Sequence, residues 1–362
     1  MKLDITRLWR KLYAKIIKIM IGGRRRQFLR RRRALSRRKV PPSSWCESIS
    51  CKSFYLLSTK SIIGRRSMPH WKHYHKALSI NDALKALFNA PGSARLLAGG
   101  TDLLLDLQQG RHSPVDTLVD ISSIPELLMI EERSGMLFIG AAVTMSRIVS
   151  SSLVCVHAQA LTDACALIGG PQVRNSATLG GNVAHALPAA DGTIALLALG
   201  AEAEVADQND SRTVPMQKLF LGPGHSSLHP QRELLVGFYL PLRKKGMASS
   251  FKRIMRPQGV ALPILNLAVW IHRKNDPSLE SKIADIRIAV GPGGPVPTRA
   301  IETEKFLRRK TMTEKVIASA MEILVKDVHL RTSPYRATSI YRQRLAKVLF
   351  RDVIHSAWIH TL

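Results

Sequence analysis

Two glycine-bearing segments carry the residue types best suited to chemistry in this 362-residue chain. The first is LLAGGTDL, from Leu96 to Leu103, and the second is TLGGNVAHALPAAD, from Thr178 to Asp191. In each, adjacent glycines follow an apolar run and precede small polar or acidic residues. A glycine pair lets a phosphate or a flat ring come close to backbone N–H groups. The second segment ends Pro188-Ala189-Ala190-Asp191 and continues into the apolar run Gly192 to Leu199, which reads as a helix with a carboxylate near its start. Neither segment is a GxGxxG or GxxxxGK[ST] fingerprint. Either one alone reads as an ordinary strand-to-helix turn. The pair, with Gly100 and Gly180 about eighty residues apart in the same strand–loop–helix setting, favours a binding role.

Other constellations carry less. His225, Ser226 and Ser227 adjoin one another, but no GxSxG elbow accompanies them, and sequence neighbours seldom form a triad. His70, His73 and His75 alternate as a solvated strand edge does. Cys46, Cys51, Cys155 and Cys165 form no CxxC pair and read as reduced thiols. His185 lies inside the second glycine segment, where it either touches a ligand or hydrogen-bonds backbone.

Ala98-Gly99-Gly100-Thr101-Asp102, and Thr178-Leu179-Gly180-Gly181-Asn182 with Asp191, resemble the two FAD-binding segments of the FAD subunit of molybdenum hydroxylases. That family includes the medium subunits of aerobic carbon monoxide dehydrogenase and 4-hydroxybenzoyl-CoA reductase, and the flavin domain of xanthine dehydrogenase. The resemblance runs from about Met68 to Ile354, and Ser339-Ile340-Tyr341-Arg342 resembles the family's C-terminal S-x-x-Y-R helix. It implies an α+β chain: a PCMH-type FAD-binding fold of two α/β subdomains with FAD between them, and a C-terminal α+β domain made of a sheet with flanking helices.

The resemblance also implies noncovalent FAD held by Leu96, Leu97, Ala98, Gly99, Gly100, Thr101, Asp102, Leu103, Ile168, Thr178, Leu179, Gly180, Gly181, Asn182, Asp191, Leu235 and Lys252. Backbone N–H groups of Ala98 to Asp102 and of Thr178 to Asn182 would cradle the pyrophosphate, with the hydroxyls of Thr101 and Thr178 as further donors. Ile168 would be an apolar neighbour of the cofactor and Asp191 an acidic contact. Lys252 would lie near the ring, where a cation favours reduced flavin, unless it is a plain surface lysine. No catalytic side chain and no metal ligand is expected on this chain. The implied partners are a [2Fe-2S] small subunit and a molybdopterin-binding large subunit, in a dimer of heterotrimers in the cytoplasm. NAD+ is one candidate acceptor, with no nucleic acid and no integral membrane segment. Pro223 and His225 stand where some relatives place an aromatic near the ring, which leaves the acceptor open. Three other readings stay open: a stand-alone PCMH-type flavin oxidoreductase, a structural subunit without FAD, and a basic membrane or nucleic-acid adaptor acting through residues 1–67.

Four segments are expected: an extension at 1–67, FAD-binding subdomains at 68–123 and 124–243, and a C-terminal domain at 244–362. The last is expected to be packing surface more than chemistry. Helices are expected at Ser79 to Asn89, Asp102 to Gln109, His157 to Leu167, Gly192 to Leu199, Ala300 to Arg309 and Thr313 to Val325, with an arginine-rich one in Ser333 to Val353. Strands are expected at Ala94 to Ala98, Thr117 to Ile121, Met136 to Ala142, Ala201 to Ala206, Glu233 to Leu240, Ser249 to Ile254, Ile264 to His272 and Ile283 to Val290.

Charge is unevenly distributed. Residues 1–67 hold 20 of the 54 Lys and Arg but 2 of the 26 acids, so most of the +28 lies at one end. Leu8 to Ile21 can be drawn as a basic amphipathic helix, and Arg24 to Arg30 resembles a twin-arginine signal that lacks the apolar stretch export requires. The composition also suits a disordered tail. Gly64-Arg65-Arg66-Ser67 could be encoded by a purine-rich, ribosome-binding-like sequence, so the native start is expected at Met68. Intact-mass measurement of the native protein should return a mass without residues 1–67; a mass that includes them contradicts this expectation.

Overall fold

The computed structural model describes residues 70–256, 262–274 and 281–362. The expectations placed on residues 1–67, on Cys46 and Cys51 and on a start at Met68 lie outside the described residues. Three main sheets follow one another along the chain.

The first sheet has three parallel strands: β1 (His73–Lys76), β2 (Ala94–Leu97) and β3 (Thr117–Asp120), with β3 in the middle. Parallel neighbours need crossover connections. Helix α1 (Ile80–Phe88) supplies one; Ser79 caps it by accepting from the Asp82 N–H at 3.1 Å, and Ala83, Leu84 and Leu87 form its buried stripe. Helix α2 (Leu103–Gln108) supplies the other. Asp116 fastens the mouths of β1 and β2, accepting from Lys72 Nζ at 2.7 Å and from the Ser93 N–H at 2.9 Å. Lys72 first, then Ser93, holds its carboxyl down to about 2.

The second sheet is antiparallel, in the order β4-β5-β10-β6-β7. It begins with β4 (Ile130–Arg133) and β5 (Met136–Gly140). Six helices are inserted after β5: α3 (Met145–Ser150), α4 (Ser152–His157), α5 (Gln159–Leu167), α6 (Pro171–Ser176), α7 (Leu179–Ala184) and α8 (Asp191–Leu199). The sheet resumes with β6 (Glu202–Ala206) and β7 (Ser211–Pro215). A hairpin of β8 (Phe220–Gly222) and β9 (His225–Ser226) precedes β10 (Leu234–Pro241). Helix α8 is apolar on every side and every one of its residues is buried, so it is the central post of this core.

The third sheet is β11 (Met247–Ile254), β12 (Leu265–Arg273), β13 (Ile283–Gly291) and β14 (Thr298–Arg299), in chain order and antiparallel. Leu265, Leu267, Val269 and Ile271 face a core shared with α9 (Ile301–Leu307), α10 (Glu314–Asp327) and α11 (Ser339–Ile359). Phe251, Ala268 and Trp270, on the opposite face, join the core around α5 and α8. The alternation of β-strand side chains thus makes this sheet a wall between two cores.

One local expectation is corrected, and two elements were unforeseen. The helix expected over His157 to Leu167 is α5, which starts at Gln159 and is separated from α4 at Ala158, with φ −140° and ψ 52°. The glycine segment expected as a loop after Thr178 is α7, and the segment before it forms the unforeseen α6. The turn at Asn209-Asp210 leads into the unforeseen strand β7.

Glu304 of α9 is 1% exposed and accepts from the Ile288 N–H at 2.8 Å and from Arg299 Nε at 3.0 Å. Glu304→Ala leaves a half-buried guanidinium and a buried strand N–H without their acceptor. We expect a loss of about 3–5 kcal/mol in urea unfolding, with Glu304→Gln losing less.

Candidate functional site

The first glycine segment leaves β2 at Leu97 and enters α2 at Leu103. Gly100 has φ +68°, a left-handed conformation that favours glycine. Among the described residues, the backbone N–H groups of Gly99, Gly100, Thr101, Asp102 and Leu103 donate to no group of the chain. Leu96 through Thr101 and Leu103 are half-buried and Asp102 is exposed. Five consecutive free donors on a partly open loop are what an anionic oxygen group requires.

The second segment meets the first. A Cβ on Gly99 would run into the backbone carbonyl of Ser176 and lie 3.0 Å from Ala177 Cα, immediately before Thr178. Thr178 caps α7: its Oγ1 accepts from the Gly181 N–H at 3.1 Å and its hydroxyl is buried. The Leu179 N–H donates to the Val143 carbonyl at 3.0 Å and the Gly180 N–H to the Ala141 carbonyl at 2.8 Å. At the expected cradle, Thr178 to Asn182, the N–H groups of Leu179 to Asn182 are engaged within the chain, and Thr178 acts as a cap. Gly180 is there for packing, since a Cβ would sit 2.6 Å from that of Ala141. Gly181 is exposed, and a Cβ there would meet only Thr178 Oγ1, at 3.0 Å. Leu179 is buried in the core, and Asn182 holds a buried Oδ1 with no partner.

Below this surface lies an ion pair. Asp191, the first residue of α8, is 3% exposed; Oδ2 accepts from Arg253 Nη1 and Oδ1 from Asn266 Nδ2 at 2.7 Å. Burial pushes its carboxyl up, opposed by Arg253 and Asn266. Burial, with Asp191 nearby, also pushes the Cys165 thiol well up, which makes it unreactive. Arg253 further donates to the Leu167 carbonyl, and Arg174 to those of Ile168 and Gly169 at 3.2 and 2.9 Å. Two guanidiniums thus fix the turn that presents half-buried Ile168. Asp191, expected as an acidic cofactor contact, has both of its oxygens on residues of the chain's own third sheet.

Lys252 is not gathered here. Strand alternation puts it on the face opposite Arg253, where its Nζ is 3.3 Å from Asp352 of α11. Leu235 is buried in β10 at a bulge between Leu235 and Gly237. Arg253 and Asn266 were missed, and through Asp191 they bring the third sheet into the support of the site. The available signal was the alternation Phe251, Arg253 along β11, but the register that pairs Arg253 with Asn266 is not visible in the sequence. The Gly224 N–H donates to the carbonyl of Ala186, so the Pro223–His225 turn abuts the end of α7. Half-buried His185 is the C-cap of α7, its N–H on the Gly181 carbonyl. His70, His73 and His75 join no group of three metal-ligating side chains among the described residues.

The residues present fit a dinucleotide's phosphates: free donors on Gly99 to Leu103, and no side chain at Gly100 or Gly181 to keep an anion from the backbone.

Residues 67–243 match the family described as the FAD binding domain in molybdopterin dehydrogenase, and residues 249–357 match the CO dehydrogenase flavoprotein C-terminal domain. The chain is 32% identical over 287 residues to the xanthine dehydrogenase FAD-binding subunit of Escherichia coli O157:H7, covering 78% of this chain and 95% of that one. It is 28% identical to the carbon monoxide dehydrogenase medium chain of Hydrogenophaga pseudoflava, covering 79% and 96%. A solved structure of carbon monoxide dehydrogenase from Hydrogenophaga pseudoflava, lacking the Mo-pyranopterin moiety of the molybdenum cofactor, superposes with a TM-score of 0.74 at 28% identity, over 81% of this chain and 99% of that chain. The chain belongs to the FAD-binding, medium-subunit family of the molybdenum hydroxylases, oxidoreductases of the xanthine dehydrogenase and carbon monoxide dehydrogenase type.

Proposed function

We propose that this chain is the electron-transfer flavoprotein of a molybdenum hydroxylase complex, working beside a [2Fe-2S] small subunit and a molybdopterin-binding large subunit in a cytoplasmic dimer of heterotrimers. Bound FAD supplies the exchange between single electrons from iron–sulfur centres and a two-electron acceptor such as NAD+. The observation that carries this reading is the set of free N–H groups from Gly99 to Leu103, pressed by Gly99 against the chain just before Thr178.

On this reading Gly99 to Leu103 donate to the pyrophosphate, and Gly181 leaves room for its approach from the second segment. Asp191 and Arg253 position rather than react. They hold α8 and the Leu167 carbonyl at fixed places, and with them Ile168 beside the flavin. Lys252 remains a proposed contact only if its ammonium leaves Asp352. The acceptor would meet the flavin near the Pro223–His225 turn, which adjoins the end of α7.

Gly181→Val should keep the fold, because only Thr178 Oγ1 meets the new side chain's first carbon. It should weaken FAD retention by about tenfold or more, through lost phosphate approach. Flavin absorbance after gel filtration, read beside circular dichroism, checks both; full occupancy in a folded variant counts against the reading. Gly180→Ala, by contrast, should lower stability through its clash with Ala141. Coexpression with the two partner subunits should yield all three chains in equal amounts after affinity purification through this one, and recovery of this chain by itself would contradict the assignment.

A further inference from the structure

A cluster of arginines without carboxylate partners lies where the end of the third sheet meets the start of α11. The loop after β13 passes through Gly291 and Pro292 to Gly294, and the chain from Arg331 to Arg342 folds over it. The Arg331 N–H donates to the Gly293 carbonyl at 3.3 Å, and Arg342 Nη1 donates to the neighbouring Pro292 carbonyl. Between these ends, residues 333 to 337 close a tight turn: the Ser333 N–H donates to the Ala337 carbonyl at 2.9 Å and that of Arg336 to Ser333 at 3.2 Å. Three guanidiniums therefore share one small region, graded from exposed Arg331 through half-buried Arg336 to Arg342, which is 2% exposed.

No carboxylate neutralises them. Among the described residues none of the three forms a salt bridge, and the Nε of Arg342 is buried without a partner. Comparably buried Arg253 faces Asp191. A buried guanidinium without a counter-charge is costly unless an anion reaches it. Burial first, and then Arg336 and Arg331, makes the charge on Arg342 harder to keep. Arg342 also sits in the first turn of the 21-residue helix α11, the end where a cation is unfavourable and an anion favoured.

We propose that Arg331, Arg336 and Arg342, with the first turn of α11, bind the phosphate group of a small soluble phosphate ester. A carboxylate would balance one of the three charges. A phosphate monoester carries about −1.5 to −2 at neutral pH and three acceptor oxygens, which suits three guanidiniums better. This site does not depend on the FAD reading, because it uses no residue of the glycine segments.

The test is calorimetric titration of the full chain, with and without saturating FAD, using inorganic phosphate, AMP and adenosine at constant ionic strength. We expect saturable binding of phosphate and AMP but not adenosine, unchanged by FAD. Arg331→Ala and Arg336→Ala should each weaken it about tenfold, while Arg344→Ala, an exposed arginine of the same helix, should leave it unchanged. Arg342→Ala is avoided as the primary variant because its loss could disturb the loop. Absence of saturable binding, equal affinity in Arg336→Ala, or displacement by FAD would overturn the proposal. So would loss of binding in the assembled complex, which would assign the site to an acidic side chain of a partner subunit.

Discussion

The buried contact of Asp191 with Arg253 and Asn266 is the constraint on which the rest of the molecule depends. Asp191 begins the helix at the centre of the second core, while Arg253 and Asn266 belong to neighbouring strands of the third sheet. Removing charges from water is expensive, and a buried pair returns that cost only with good geometry and further hydrogen bonds. Here Asn266 satisfies the second carboxylate oxygen and the Leu167 carbonyl takes another guanidinium proton. The pair's benefit is therefore one of position. It fixes the depth of α8, the turn before Ile168, and the face of the third sheet that closes the core. Breaking one partner leaves the other as an isolated buried charge, so the fold tolerates neither loss well.

Above that fixed floor, the glycines divide their work. Gly99 and Gly180 lack a Cβ because backbone or side chain already occupies its place: the Ser176 carbonyl in one case and Ala141 in the other. These two bring the loops together and seat α7 on the strand below. Gly100 and Gly181 are different, one in a left-handed turn and the other facing outward. They leave approach to the backbone open. A run of free N–H groups is costly in a folded protein unless water or a ligand meets it. The structure concentrates that cost in the first loop rather than sharing it between the two.

Much of this was legible in the sequence. The stripe Ala83, Leu84 and Leu87 behind Ser79 marked α1, and the apolar run after Asp191 marked α8. The strands β2, β3, β5, β6, β10, β11, β12 and β13 showed as largely apolar runs bounded by turn residues, whereas the polar β4, β7 and β14 did not. Helix α7 was not legible, because two glycines argue against a helix by propensity, whereas the Thr178 cap and the contact of Gly180 with Ala141 are tertiary and local geometry together. The division of labour between Lys252 and Arg253 was hidden for a related reason. A one-residue shift on a strand reverses the face, and the register came only with the sheet. The residue types needed for an anion were visible at both glycine segments, but which N–H groups remained free depended on what packs beneath them.

The most direct test of the central claim is the flavin stoichiometry of the full chain after incubation with FAD and gel filtration, read from visible absorption and from the chromophore released by acid. A cradle at Gly99 to Leu103 next to Gly181 predicts about one FAD per chain, noncovalently held and fully released by acid. A folded protein that stays colourless, both as this chain and when assembled with its partner subunits, would contradict it.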